Sequence, residues 1–97
     1  MPASTAQIPS PSARKYMIQL CKHWSHKLTV EWSDTDGRIE FEPSRVCILH
    51  NDDGRLQLRV ETATDEELER TQNTVVNHLK RFAFKEDLGD IVWTREG

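Results

Sequence analysis

The chain has 97 residues, of which 13 are basic and 16 acidic, and its formal net charge at pH 7 is −3. That length fits one small domain, and an acidic chain offers no positive field, so no nucleic-acid partner is predicted. The sequence has no apolar run of about 18 residues, so no membrane span is predicted. It also lacks the pattern of a signal peptide. We therefore expect a cytoplasmic protein whose two cysteines, Cys21 and Cys47, are reduced thiols.

The first residues of the chain differ in composition from the rest. Residues 1–9 are mostly polar and include two prolines. This composition predicts a mobile N-terminal arm, although Ala6–Ile8 could add a short edge strand. Residues 10–97 are expected to form a single α+β domain.

A helix is predicted directly after the arm. Ser10 is a good N-cap, and Pro11 suits the first helical position because its missing N–H costs nothing there. Apolar residues then recur at steps of three and four, which predicts an amphipathic helix of about four turns. This apolar stripe contains Ala13, Met17, Leu20, Cys21, Trp24 and Leu28.

Four strands are predicted next, because the apolar period changes to two after Leu28. The turn signals between them are Asp34–Gly37, where the glycine would tolerate a positive φ, Pro43 with Ser44, and Asn51–Gly54. Short turns between alternating segments predict an antiparallel meander. Its outer face carries charges of both signs, which is typical of a solvated surface.

A second helix is predicted from the capping box formed by Thr64 and Glu67, and its apolar stripe runs to about residue 84. A short last strand then contains Ile91 and Trp93, or Val92 alone. The predicted order is α-β-β-β-β-α-β. This order indicates an α+β two-layer sandwich in which two helices pack on one face of an antiparallel meander sheet.

The stretch QLCKHWSHKL, residues 19–28, brings a cysteine, two histidines and a tryptophan together. Each residue of a helix turns its side-chain direction by about 100°, so Cys21 and His23 cannot easily hold one ion. Cys21 and Trp24 belong to the apolar stripe, whereas His23 and His26 share the opposite face with Tyr16. We therefore expect a packing face and a histidine face.

Metal binding is one hypothesis for the histidine face. His23 and His26 are the metal candidates, but two histidines are too few for a tight zinc site. Further ligands would have to come from Cys47, His50 or His78. A transition-metal or haem contact through His23 or His26 stays open, as does the simpler interpretation of buried cysteines and solvated histidines.

The second helix ends in NHLKRFAFKE. We expect His78 to be partly buried and Phe82 to pack this end onto the sheet. Lys27 and Arg81 would join one basic patch if the helix C-termini lie side by side, and such a patch could hold an anionic ligand. Cys21 is expected to be an inert core thiol because it lies on the apolar stripe, whereas a cysteine nucleophile needs a base within hydrogen-bond reach and a lowered pKa.

Three segments, QLCKHWSHK, VEWSDTDGRIEF and NHLKRFAFKE, resemble the bacterial DUF2218 family over residues 5–95. The motif positions that match are Cys21, His23, Trp24, His26, His78, Arg81 and Phe82. The family has no established activity, so the resemblance carries over no catalytic residue. Some relatives are fused to, or encoded near, siderophore-interacting flavoproteins and iron-uptake genes, so the resemblance implies an iron-related role by association alone.

We therefore expect a binding or accessory module rather than an enzyme, linked to iron, siderophore or haem metabolism. Its cofactor would be a transition metal or haem, and its partner a siderophore-interacting or iron-uptake protein. The candidate contacts are His23, His26, His78, Lys27 and Arg81. Two other functions stay open: a thiol-dependent redox protein or small enzyme that uses Cys21, and a structural homo-oligomer, such as a homodimer, or protein-interaction domain.

Overall fold

The structure, a computed structural model, describes residues 2–52, 54–84, 86, 88–89 and 91–96. In these residues the elements are β1 (Ala3–Pro9), α1 (Ala13–Ser25), β2 (Thr29–Trp32), β3 (Asp36–Glu42), β4 (Arg45–Asp52), β5 (Arg55–Thr62), α2 (Asp65–Phe82) and β6 (Thr94–Glu96). The strands form one antiparallel sheet in the order β2-β3-β4-β5-β1-β6. The α+β class and the four-strand meander are therefore confirmed.

The N-terminal residues form a strand, so the predicted mobile arm over residues 1–9 is wrong. β1 pairs along its whole length with β5 and at its start with β6, which makes it an interior strand of the sheet. Its alternate residues Ser4, Ala6 and Ile8 are buried. Ala6 pairs with Leu58 of β5, which lies about 50 residues further along the chain. Local composition therefore carries no signal of this pairing.

The first helix begins later than the serine–proline signal predicts. Ser12, not Ser10, is the N-cap of α1. Ser10 is buried, and its hydroxyl accepts a hydrogen bond from the Ser12 N–H at 3.0 Å. The same hydroxyl donates to the Glu86 carboxylate at 2.8 Å. Ser10 therefore stabilises a contact that is distant in sequence instead of starting the helix.

The second helix begins where the capping box predicts. The Thr64 hydroxyl accepts a hydrogen bond from the Glu67 N–H at 3.2 Å, and the Glu67 carboxylate accepts one from that hydroxyl. α2 ends at Phe82, two residues before the predicted end, and the last strand lies at Thr94–Glu96, after the predicted Ile91 and Trp93. Neither helix of the described residues is long and apolar enough to cross a membrane.

Both helices pack on the same face of the sheet. On that face Ile39, Cys47 and Val60 lie side by side on β3, β4 and β5, and all three are fully buried. The helices cover them with Met17, Leu20, Cys21, Trp24, Leu68, Val75 and Leu79. Because strand residues alternate between faces, the neighbours of Ile39, Cys47 and Val60 in each strand point to the opposite face.

Gly37 lies in β3, where it pairs with Trp32 and Leu49, and not in the turn that the sequence predicts. In the described residues a positive φ occurs only at Gly54 and Gly89. A Cβ atom at Gly37 would lie 2.7 Å from the sulfur of Cys21. The glycine is therefore explained by the close approach of α1 to the sheet, since no other residue leaves that space free.

Candidate functional site at the helix ends

The two helices meet where His23 of α1 faces His78 of α2. The centres of their imidazole rings are 5.0 Å apart. The indole of Trp24 lies 4.7 Å from the His78 ring, and the ring of Phe82 lies 5.8 Å from His23. The structure thus brings together two of the three predicted histidines inside an aromatic cluster, which we define as His23, Trp24, Phe41, His78 and Phe82.

Helical geometry places these rings. Trp24 is on the buried stripe of α1 and packs edge-on against Phe41 of β3 at 5.0 Å. His23 is its neighbour in the chain and therefore points about 100° away around the helix, toward α2. His78 and Phe82 are four residues apart, so they lie on one face of α2. The result is an exposed imidazole that rests on a buried tryptophan.

The two imidazoles differ in their hydrogen bonds and charge. The Nδ1–H of His78 donates to the Thr74 carbonyl oxygen at 2.8 Å in the tautomer that this contact requires. In its neutral form, that ring presents Nε2 as the nitrogen with a lone pair. Partial desolvation beside the neighbouring rings lowers the pKa of the exposed His23, and nearby His78, His26, Lys27 and Arg81 lower it further. The lowered pKa favours the neutral, electron-pair-donating form of the His23 ring.

The other predicted contacts lie around this pair. His26 is the C-cap of α1, and Lys27 follows it; both side chains are exposed, as is that of Arg81 on α2. The positive side chains of Lys27 and Arg81 form the rim of the cluster, because both lie close enough to lower the pKa of His23. The helix C-termini contribute partial negative charge at the same place.

Two residues considered as additional metal ligands lie elsewhere. His50 is on β4, and its Nδ1 lies 2.8 Å from the Asp36 carboxylate in a partly exposed pair. Cys47 is fully buried in the sheet. Among the described residues no group of three or more His, Cys, Asp or Glu side chains could hold a metal ion. Among the described residues, no third side chain of these types is therefore placed to share a metal ion with the histidine pair.

The thiol of Cys21 lies beneath the helix, not in a cleft. Its side chain is fully buried, and burial raises its pKa from 9.0 to about 11. Burial also raises the pKa of Cys47, and the nearby Cys21 raises it further. Thiolate formation is the requirement for a cysteine nucleophile. The geometry therefore gives no support to the alternative of a redox or catalytic Cys21.

These thiols predict a loss of stability in alkali. In the folded chain their pKa values lie above those of the unfolded chain, so their stabilisation is complete below about pH 9 and falls as the pH rises through the folded pKa values. We expect the free energy of unfolding, measured in urea, to fall from about pH 9 upward. In the Cys47→Ala variant, the free energy of unfolding should decrease less steeply with pH than in the native chain. An equally steep decrease in both proteins would contradict this explanation.

The sequence pattern missed a second polar cluster. Tyr16, predicted on the exposed face of α1, is buried, and its hydroxyl donates to the Glu86 carboxylate at 2.9 Å. Burial raises the pKa of Tyr16, and the hydrogen bond to Glu86 raises it further. Glu86 also accepts the hydrogen bond of Ser10. A carboxylate 70 residues from Tyr16 cannot be assigned to it from helix periodicity.

Gln19 lies one helical turn before His23 on α1. Its Oε1 is buried and has no hydrogen-bond partner among the described residues. Residues four apart share a helix face, so this oxygen belongs to the side of α1 that carries His23. Buried polar atoms of native proteins are nearly always paired. The Gln19 Oε1 is therefore an unsatisfied buried acceptor among the described residues.

The fold and the histidine pair together define a small α+β domain with one antiparallel sheet, two helices on one face and an imidazole pair where the helices meet. The chain matches the family model described as "Uncharacterized protein conserved in bacteria (DUF2218)" over residues 5–94, and it belongs to that family, as the resemblance predicts.

A solved structure is similar to this chain over almost its whole length. The NMR structure of PA4090 from Pseudomonas aeruginosa is 34% identical in sequence, with a TM-score of 0.82. The match covers 97% of this chain and 96% of that chain. No curated protein matches the chain.

Proposed function

We propose that this chain is a non-enzymatic binding module in which His23 and His78 contact the metal of a metal-containing ligand. The observation that supports this proposal is the 5.0 Å separation of two imidazole rings from different helices. Neutral imidazole is a common ligand of copper, nickel, zinc and iron. Two protein ligands leave the remaining positions of the metal to the ligand that carries it.

The charges around the pair favour a ligand that is anionic at its edge. Lys27 and Arg81 bring two permanent positive charges to the rim of the cluster. These charges oppose a bare divalent cation but attract carboxylate or phenolate oxygens. A ferric chelate with two free positions, or haem with its propionates held through one of the two imidazoles, combines a metal that accepts imidazole with such an anionic edge. This combination is the support for an iron-linked function.

Gln19 adds a polar contact to the proposed site. Its buried Oε1 lacks a partner among the described residues, and a bound ligand or its water would supply one. The apolar rings of Trp24 and Phe82 provide a surface on which a flat ligand can pack. The site thus offers a metal contact, an apolar surface and a basic rim.

A titration with ferric protoporphyrin IX tests the proposal. Coordination by imidazole moves the Soret band, so the shift against protein concentration measures affinity. We expect binding in the micromolar range, on the order of −8 kcal/mol, and a loss of at least about tenfold in whichever of His23→Ala and His78→Ala removes the imidazole that coordinates the haem iron. Copper(II) serves as the probe without an anionic edge, and Arg81→Ala should weaken haem binding more than copper binding.

His50→Ala is the matched control for this titration. His50 is also a partly exposed histidine, but it lies on a strand and pairs with Asp36, away from the proposed site. Its variant should bind haem with unchanged affinity. A Soret band that stays in place, or an equal loss in the His23, His78 and His50 variants, would contradict the proposed function.

A further inference from the structure

The sheet has a second face, on the side opposite the helices, which we call the open face. Ile39, Cys47 and Val60 point toward the helices, so the residues before and after them in their strands point to the open face. These residues form two rows that run across the sheet. The strand register defines which residues belong to each row.

The first row is basic and the second is acidic. Arg38 pairs with Ile48, and Ile48 with Arg59, across β3, β4 and β5. Glu40 pairs with Val46, and Val46 with Glu61, across the same strands. Within these three strands the basic row is therefore Arg38, Ile48 and Arg59, and the acidic row is Glu40, Val46 and Glu61. On β2 the rows continue with Glu31 beside Arg38 and Thr29 beside Glu40. The rows are two residues apart along each strand, a distance of about 7 Å.

The order of these rows is self-complementary. Consider a two-fold axis that lies just above the open face, parallel to the sheet, perpendicular to the strands and midway between the rows. This axis places a second copy against the open face and exchanges the two rows. Arg38 then faces Glu40 of the second copy, and Arg59 faces Glu61 of the second copy. In the centre, Ile48 meets Val46 of the second copy. Each of the strands β3, β4 and β5 therefore faces the same strand of the second copy, and the contacts on the two sides of the axis are equivalent.

We propose that the open face binds a second copy of this chain in this two-fold arrangement, which would be an isologous dimer of two sheets packed face to face. Among the described residues neither Arg38 nor Glu40 has an ion-pair partner within its own chain. The second copy supplies one to each. On β1, where the rows continue, Ala3 and Thr5 are small and uncharged, so they do not hold the sheets apart.

The predicted dimer is weak and sensitive to salt. Its apolar centre is small, since Ile48 is 36% exposed and Val46 only 9%. Arg59 already pairs with Glu61 at 2.7 Å and with Glu96 in its own chain, so the second copy joins an existing network. Exposed ion pairs are screened by salt. The face measures about 24 Å across six strands, which suits an interface at the low end of the standard size.

Sedimentation measurements on exchanged charges test the arrangement. At low salt, about 50 mM, the native chain should dimerise with a dissociation constant of about 10–100 μM, and the dimer should dissociate as salt is added. Arg38→Glu and Glu40→Arg should each weaken it at least about tenfold, because each places like charges face to face. Both positions are at the surface, and thermal unfolding checks that each variant folds.

An equimolar mixture of the two variants gives the decisive measurement. The glutamate introduced by Arg38→Glu in one chain would face the arginine introduced by Glu40→Arg in the other. The unchanged Glu40 of the first chain would face the unchanged Arg38 of the second, so the mixture should form a heterodimer that is stronger than the homodimer of either variant. A charge effect inside one chain cannot produce this rescue.

Three outcomes would each overturn the proposal. The first is a native chain that stays monomeric at about 1 mM and low salt. The second is a dimer that both variants leave intact, such as one formed through the β2 edge. The third is a mixture of the two variants that stays monomeric.

Discussion

Replacing Trp24 with alanine is expected to lower the free energy of unfolding by about 3–5 kcal/mol. The indole is 9% exposed and lies between the helices and the sheet. Its ring contacts Phe41 at 5.0 Å and His78 at 4.7 Å. Truncation would leave a cavity that the surrounding rings fill only in part. Urea unfolding of both proteins at neutral pH measures the difference.

Trp32→Ala is the matched control, because Trp32 is 39% exposed on the edge strand β2. Its loss should cost about 1 kcal/mol, since much of its surface stays in contact with water when the chain folds. The Trp24 variant should also lose the metal-ligand affinity proposed for His78, whose ring rests on the indole. Equal destabilisation by the two substitutions would contradict the central place of Trp24 between the layers.

Replacing Gly37 with alanine is expected to lower the free energy of unfolding by about 1–3 kcal/mol. Within a strand, alanine ordinarily gives a more stable protein than glycine. A loss of stability on this substitution would therefore indicate a steric conflict at the site. The added Cβ would lie 2.7 Å from the Cys21 sulfur and 3.5 Å from a Leu49 methyl carbon. Either α1 shifts away from the sheet or the cysteine leaves its position, and both changes disturb a closely packed layer.

A double-mutant cycle with Cys21→Ala separates this contact from other effects of the glycine. Removing the sulfur makes room for the new methyl group, so the Gly37→Ala change should cost much less in the Cys21→Ala background. The expected coupling is on the order of 1–2 kcal/mol. A cycle without coupling, or a stabilising Gly37→Ala substitution, would show that the close approach of α1 is not what requires the glycine.

The proposed metal contact and the proposed dimer surface lie on opposite sides of the sheet. His23 and His78 belong to the helical layer, whereas Arg38 and Glu40 belong to the open face. Substitutions in one surface therefore serve as controls for the other. An Arg38→Glu variant should keep the haem affinity of the native chain, and a His78→Ala variant should keep its dimer.

Local patterns predicted much of the fold because their signals lie within a few residues. The Thr64 and Glu67 capping box identifies the start of α2, and the apolar stripe of α1 correctly contains Leu20 and Trp24. Alternation with a period of two identified the four strands of the meander, whose partners follow directly after short turns. In each case the backbone conformation and its partner are neighbours in the chain.

Such local patterns predicted only part of the candidate site. Helical geometry separated His23 from Cys21, and the resemblance to the family selected both His23 and His78. No spacing rule states that the two rings lie 5.0 Å apart, because 55 positions separate them in the sequence. That distance depends on how α1 and α2 cross on the sheet, which is decided by packing in the core.

By itself the sequence determined the secondary-structure class, the two buried stripes and the segregation of Cys21 from the histidines, since all of these follow from periodicity and capping. Only the tertiary structure decided that residues Ala3–Pro9 are an interior strand, that Tyr16 is buried against Glu86, and that Gly37 makes room for a helix. Each of these features joins residues far apart in the chain, and their meeting depends on the closure of long loops and the packing of one shared core.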